Sequence, residues 1–302
     1  MAASSNIHSQ PQGMWTLRTF KFGRVVVNRS LLYLVALILG LLFAFPFIWA
    51  IFTSLKTTQE LYLFPPRLFP NALQWSNYLE IWQVAPFGQF FLNSTVVAVL
   101  SVSGQVLSTS LVAYGFARFR FPKRDLLFFV VLSTLMLPPQ VTIVPSFLLF
   151  KYLGWLDSFK PLVVPHWFAG SAFAIFLFRQ FFLTIPKELD EAAKIDGANS
   201  LWIFFKIIVP LSTPVFITIT VLAFLASWND FFAPLIYLNS VNNLTLPLGL
   251  AYFQRIGISG GRATEHLLMA ASMAMTLPCI VLFIVLQRYY VRGVTISSGS
   301  KG

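Results

Sequence analysis

Charged side chains are scarce in this sequence. Only 10% of its 302 residues are Asp, Glu, Lys or Arg, against about 25% in a soluble domain. That is too few to coat a water-soluble body of this size. With 57% hydrophobic residues and a mean hydropathy of +0.75, the shortage excludes a soluble globular fold and points to an integral membrane protein. Cysteine is nearly absent. Cys279 stands alone inside an apolar run, which excludes an intrachain disulfide. The three histidines, His8, His166 and His266, are scattered, and no Cys, His or carboxylate group has the spacing of metal ligands. No Gly-x-x-x-x-Gly-Lys-Ser/Thr phosphate loop is present. No nucleophile–base constellation stands out either, so no catalytic residue, metal or resident cofactor is expected. The net charge of +11 has no compact basic domain behind it, and nucleic-acid binding is not expected. Positive charge flanking membrane spans accounts for it.

What is abundant is long apolar runs. A helix needs roughly 20 apolar residues to cross a bilayer. Six runs qualify: Leu31–Phe52, Phe90–Tyr114, Leu126–Val144, Leu162–Phe182, Pro214–Leu235 and Leu267–Leu286. The first is too long for a signal-peptide core of about 7–15 residues and is read as an uncleaved span. Pro138 and Pro139 predict a kink or break near the outer end of the third. Ser101, Gly104 and Ser108 recur at spacings of three and four in the second, a small-residue face suited to close helix packing.

Orientation follows from the basic residues. Placing the N-terminus inside leaves Lys56, Arg67, Lys151, Lys160, Arg255 and Arg262 outside and the rest of the 21 Lys and Arg inside. That bias favours N-in and C-in. The expected class is all-α: a polytopic protein of six spans, with residues 1–29 and 291–302 as cytoplasmic ends and 30–290 as the membrane domain. Outside, residues 54–86 carry Trp75, Tyr78 and Trp82 as interface anchors, and residues 238–266 read as a long polar loop.

Acidic residues are rarer than basic ones, and they cluster. Four of the ten, Glu188, Asp190, Glu191 and Asp196, sit within residues 188–196, on the inner side. Pro186 suits a first helical turn, and the acidic residues behind it meet the positive end of the helix dipole. Leu189, Ala192 and Ala193 share one face at i, i+3 and i+4, and Ile185 extends it. Asp196-Gly197 breaks the helix, because glycine readily takes the left-handed C-terminal cap. Asn199 or Ser200 can cap a second, strongly apolar helix that ends at Pro210 and Pro214. The pattern predicts a helix–turn–helix along the cytoplasmic face. Surface helices that only lie on lipid usually carry Lys and Arg; a carboxylate-rich one suits a basic protein pocket.

Glu191, Ala192, Ala193, Asp196, Gly197, Ala198 and Pro210 together resemble the EAA loop of membrane-spanning subunits of ATP-binding cassette importers. YGFARFRFP (Tyr114–Pro122), GWLDS (Gly154–Ser158), WNDFFAPLIYL (Trp228–Leu238) and QRYYVRGVT near the end are similar to the carbohydrate branch, and to its shorter six-span permease. The resemblance covers about residue 30 to the end. It implies that the first EAA helix docks in a groove of a cytoplasmic ATPase, with Glu191 meeting a basic residue and the alanines allowing close approach. It implies two ATP-hydrolysing subunits, a second and non-identical permease, and an extracytoplasmic solute-binding protein. It places the chain in a prokaryotic inner membrane, importing a carbohydrate. The same machinery moving a polyol or phosphate ester is the alternative. A stand-alone secondary transporter would show intramembrane charge relays or internal repeats, and Asp230 is the one acidic residue inside the six runs. Polar groups inside runs are costly in lipid, so Asn93, Gln105, Asn229 and Asp230, with the neighbouring Trp228, are candidates for the solute pathway.

Overall fold

The computed structural model describes residues 16–259 and 264–298. The Gly-rich stretch around 257–261, the first part of the N-terminal segment and the last residues of the tail therefore fall wholly or partly outside the described residues. Helices are the regular structure of the described residues, and no strand occurs among them. Nine helices carry the architecture: α1 (Thr16–Ser54), α2 (Phe87–Arg118), α3 (Arg124–Ser133), α4 (Pro139–Tyr152), α5 (Ala172–Thr184), α6 (Glu188–Ile195), α7 (Thr213–Trp228), α8 (Leu246–Ser259) and α9 (Glu265–Ser298). Four described segments are long and apolar enough to cross a membrane: Leu31–Ser54, Phe87–Arg118, Lys160–Thr184 and Glu265–Val285. The count rises to six if two bent pairs each form one span.

Both bends fall at prolines. Arg124–Met136 and Gln140–Tyr152 meet at 100° around Pro138 and Pro139, where two missing amide hydrogens end the ladder. Ser200–Leu211 and Thr213–Trp228 meet at 83°. Pro210 cannot donate, and its ring crowds the carbonyl four residues back. The ladder shifts to a π turn over Phe204–Ile208 just before it.

α2 is the central post. α5, α7 and α8 all pack on it, and its apolar residues feed two separate cores. Near its start, Phe87, Phe90 and Ala98 join Trp228, Leu246, Phe253 and Ala270. Near its end, Ala113, Tyr114 and Ala117 join Phe178, Phe182, Ile203, Phe204 and Ile208. Between them lies the small-residue face. The Ser101 hydroxyl donates to the Leu162 carbonyl at 2.9 Å, and the Ser108 hydroxyl donates to that of His166 at 2.9 Å. A Cβ on Gly104 would lie 2.4 Å from the Trp167 ring. Gly104→Ala would gain up to about 1 kcal/mol of helix propensity, but overpacking typically costs about 1–3 kcal/mol. The clash reaches Cγ, the fixed end of the indole, so overpacking wins. The variant is expected to melt at a lower temperature than the parent in detergent.

Two sequence expectations need correction. Residues 238–266 are not an extended polar loop, because α8 occupies about half of the stretch. Leu246, Leu248 and Phe253 are buried against the first core, and a Cβ on Gly249 would lie 2.2 Å from the Phe90 ring. The Asn and Gly residues suggested a loop, and tertiary packing of the leucines overrides them. The fifth run is not continuous to Leu235. α7 stops at Trp228, and a short helix restarts at Phe232–Tyr237.

The connection between those helices and α8 is pinned by side chains. Asp157, in the left-handed region at φ 56°, accepts from the amides of Asn239 (3.0 Å) and Ser240 (2.9 Å) and from the Ser240 hydroxyl. Those donors, the hydroxyl first, hold its carboxyl well below the usual range. Asn93 donates to the carbonyls of Asn242 (2.7 Å) and Leu244 (2.9 Å). The Ser94 hydroxyl accepts from the Leu246 amide at 2.7 Å.

Candidate functional site

Two features stand out, one at each end of α2. The first is the surface of residues 186–211. α6 begins after Pro186 with Glu188, Asp190 and Glu191 in its first turn. It ends in a paired cap: the Ala198 amide donates to the Ala193 carbonyl (2.9 Å) and the Gly197 amide to that of Lys194 (3.0 Å). Gly197 holds φ 83°, the left-handed geometry this double closure requires. Asn199 rather than Ser200 caps the next helix, its Oδ1 accepting from the Trp202 amide at 2.8 Å. Pro210 lies in the short helix Val209–Leu211 beyond the π turn.

Leu189, Ala192 and Ala193 do share one face, lining a common hollow as their spacing predicts, but its members differ in exposure. Ile185 and Ala193 turn inward and are buried, whereas Leu189 and Ala192 are exposed. Ile195 is 87% exposed. Leu189, Ala192, Asp196, Gly197, Ala198 and Trp202 line an open hollow of about 560 Å³. Glu188 and Glu191 lie exposed on the same helix. Asp190 is the exception among the carboxylates: it is buried, paired with Arg118 at 3.2 Å.

The second feature is a cavity of about 170 Å³ beside the first core. Its polar wall is Ser94, Ser101 and Gln105 from α2, His166 from the turn before α5, Ser227 and Asp230 at the end of α7, and Thr245. No Lys or Arg lines it. Gln105 Oε1 lies 3.1 Å from His166 Nδ1. The oxygen can only accept, so this geometry puts the proton on Nδ1. Asp230 sits at the interruption after α7, where its Oδ1 accepts from the amides of Phe232 (3.0 Å) and Ala233 (3.2 Å).

The sequence profile of the family described as "Binding-protein-dependent transport system inner membrane component" matches residues 106–296, a stretch that takes in all of residues 186–211 and the last part of α2. The chain belongs to this family. It is an inner-membrane permease component of the ATP-binding cassette importers. The permease is 36% identical over 267 residues to the sn-glycerol-3-phosphate transport system permease protein UgpE of Pectobacterium atrosepticum, covering 86% of this chain and 93% of that one. It is 32% identical over 269 residues to the probable ABC transporter permease protein YurM of Bacillus subtilis, covering 89% and 85%. A solved bacterial ABC transporter involved in the import of the acidic polysaccharide alginate contains a chain of the same fold. There the TM-score is 0.76 and the identity 25%, over 95% of the permease and 100% of that chain.

Within the permease, Gln105 and Asp230 line one cavity. Asn93, Trp228 and Asn229 are not among its lining residues. Asn93 is committed to the pinned connection, the Trp228 indole donates to the Met275 carbonyl at 3.2 Å, and Asn229 donates to the Leu225 carbonyl at 2.8 Å. His166 escapes sequence reasoning. Its partner is 61 residues away, and only the packing of the α5 approach on α2 brings the two together. Among the described residues no three His, Cys, Asp or Glu side chains converge as metal ligands.

Proposed function

We propose that this permease forms one wall of the pathway of an ATP-driven importer for a neutral, hydroxyl-rich solute, a sugar or polyol. It crosses the membrane six times with both ends in the cytoplasm. Residues 186–211 receive a cytoplasmic ATPase subunit, with Glu191 meeting a basic group and Leu189, Ala192 and Ile195 filling an apolar part of its groove. A second, non-identical permease completes the pathway, and an extracytoplasmic binding protein delivers the solute.

The observation that carries the choice of solute is the cavity wall. It offers an amide, an imidazole, hydroxyls and one carboxylate, with no cation. Hydroxyl groups can both donate to Asp230 and accept from the Gln105 amide. A phosphate or uronate placed there would face Asp230. Two like charges about 4 Å apart repel by about 4 kcal/mol at an effective dielectric near 20, enough to decide between the solutes. UgpE is named for glycerol phosphate and the solved transporter for an acidic polysaccharide; the wall described here suits an uncharged ligand better.

The test is uptake into proteoliposomes holding the permease with its partner subunits and binding protein. Neutral sugars or polyols are expected to be imported with ATP hydrolysis, and sn-glycerol 3-phosphate to compete poorly. Equal import of glycerol phosphate would overturn the choice of solute. Purification without any ATPase subunit would overturn the coupling.

A further inference from the structure

Asp190 is the one carboxylate of residues 188–196 that faces the protein. It is 6% exposed, and its Oδ2 lies 3.2 Å from Nε of Arg118, the last residue of α2. The Arg118 side chain is itself only 3% exposed, and its Nη2 donates to the Ile185 carbonyl at 3.1 Å. One turn earlier on α2, the buried Tyr114 ring packs 5.2 Å from that of Phe204. The end of α2 therefore grips the docking segment at three points: its entry, its first helix and its second. The other charges around Asp190, Lys187, Glu191 and Lys194, belong to the docking segment itself. Arg118 is the one that ties it to the membrane body.

That body offers three routes from the docking segment to the cavity. α7 carries Ser227 but is set off from residues 200–211 by the 83° bend at Ser212. His166 lies before α5, separated from it by Ala169–Ser171, where Ala169 takes a left-handed φ of 59°. α2 alone runs as one regular helix from Arg118 to Gln105, Ser101 and Ser94. At 1.5 Å per residue, Gln105 stands roughly 20 Å from Arg118 along a stiff rod. A buried ion pair is weak evidence for stability, since well-packed apolar residues often replace one without loss. It does hold two helices in one relative position.

We infer that the Arg118–Asp190 pair is the link through which movement of α6 reaches the cavity wall, acting as a positioning pair. The inference rests on residues 186–211 being the ATPase-docking surface. It is tested on the complete transporter in proteoliposomes, measuring solute imported per ATP hydrolysed, normalised to assembled complex. Asp190→Asn, which keeps the shape and removes the charge, is expected to lower that ratio at least tenfold while bound ATPase still turns over. Exchanging the pair, Arg118→Asp with Asp190→Arg, is expected to restore part of it. Where Asp190→Asn does not assemble, Arg118→Lys is measured instead. It keeps the charge but loses the fork that reaches both Asp190 and Ile185, and it is expected to lower the same ratio. A ratio per assembled complex equal to the parent's, with only the yield reduced, would make the pair purely structural and overturn the inference. Failure of the docking reading gives a different result: Glu191→Lys would then retain both bound ATPase and uptake.

Discussion

Replacing Glu191 with lysine is expected to reduce ATP-driven uptake to background while the permease still inserts in the membrane at parental levels. Glu191 is exposed in the first turn of α6, so the substitution buries nothing and breaks no internal contact. It exchanges a favourable charge at the positive end of the helix dipole for an unfavourable one, each worth about 0.3–1 kcal/mol on an exposed helix, so about 2 kcal/mol at most. That is too little to unfold the protein. Its effect on docking is far larger. With Glu191 meeting a basic groove as proposed, a lysine there would replace attraction by repulsion, and like-charge juxtaposition across an interface costs several kcal/mol. At 1.36 kcal/mol per decade, three or more decades of affinity would be lost. Co-purification of the ATPase subunit with the parent and variant permease reads this directly, with uptake as the second measure. A variant that retains its ATPase and imports at the parental rate would show that Glu191 does not hold the motor.

The second large effect is expected at His166. In His166→Phe an apolar ring replaces the imidazole, and the 3.1 Å contact with Gln105 Oε1 is lost. The half-buried amide oxygen then loses its partner, at up to about 1–3 kcal/mol. If that penalty falls on the bound state, the solute concentration for half-maximal uptake rises roughly 5- to 150-fold. The maximal rate should change less, because the docking end of α2 is untouched. Saturation curves separate the two quantities. An unchanged half-saturation point would place the solute elsewhere in the pathway.

The sequence disclosed local structure well and contacts between distant segments poorly. Gly197 after a helical run, Asn199 before another, and the prolines at 138, 139 and 210 each act within a few residues of themselves. The caps and breaks they predict are those found. The Ser101, Gly104 and Ser108 face was legible for the same reason: its spacing is that of one helix. Its partners, the Leu162 and His166 carbonyls, were not. Asp190 looked like one more exposed carboxylate, because its pairing with Arg118 spans 72 residues. Residues 238–266 read as loop because composition weighs their Asn and Gly without knowing that Phe90 awaits Gly249. The interruption at 229–231 falls in the same class. Asp230 marks it, but an aspartate inside an apolar run can equally be a buried ligand group or a helix cap, and the backbone shows it capping Phe232 and Ala233.

α2, gripped by one core near its start and another near its end, behaves like a shaft in two bearings. Such a shaft resists bending, and any movement of it is that of one stiff piece. Ser94, Ser101 and Gln105 stand seven and four residues apart, so at 3.6 residues per turn they lie within about 40° of one another around its circumference. A modest roll of that helix would therefore carry all three away from the cavity together, leaving His166, Ser227, Asp230 and Thr245 to hold the rest of its polar wall.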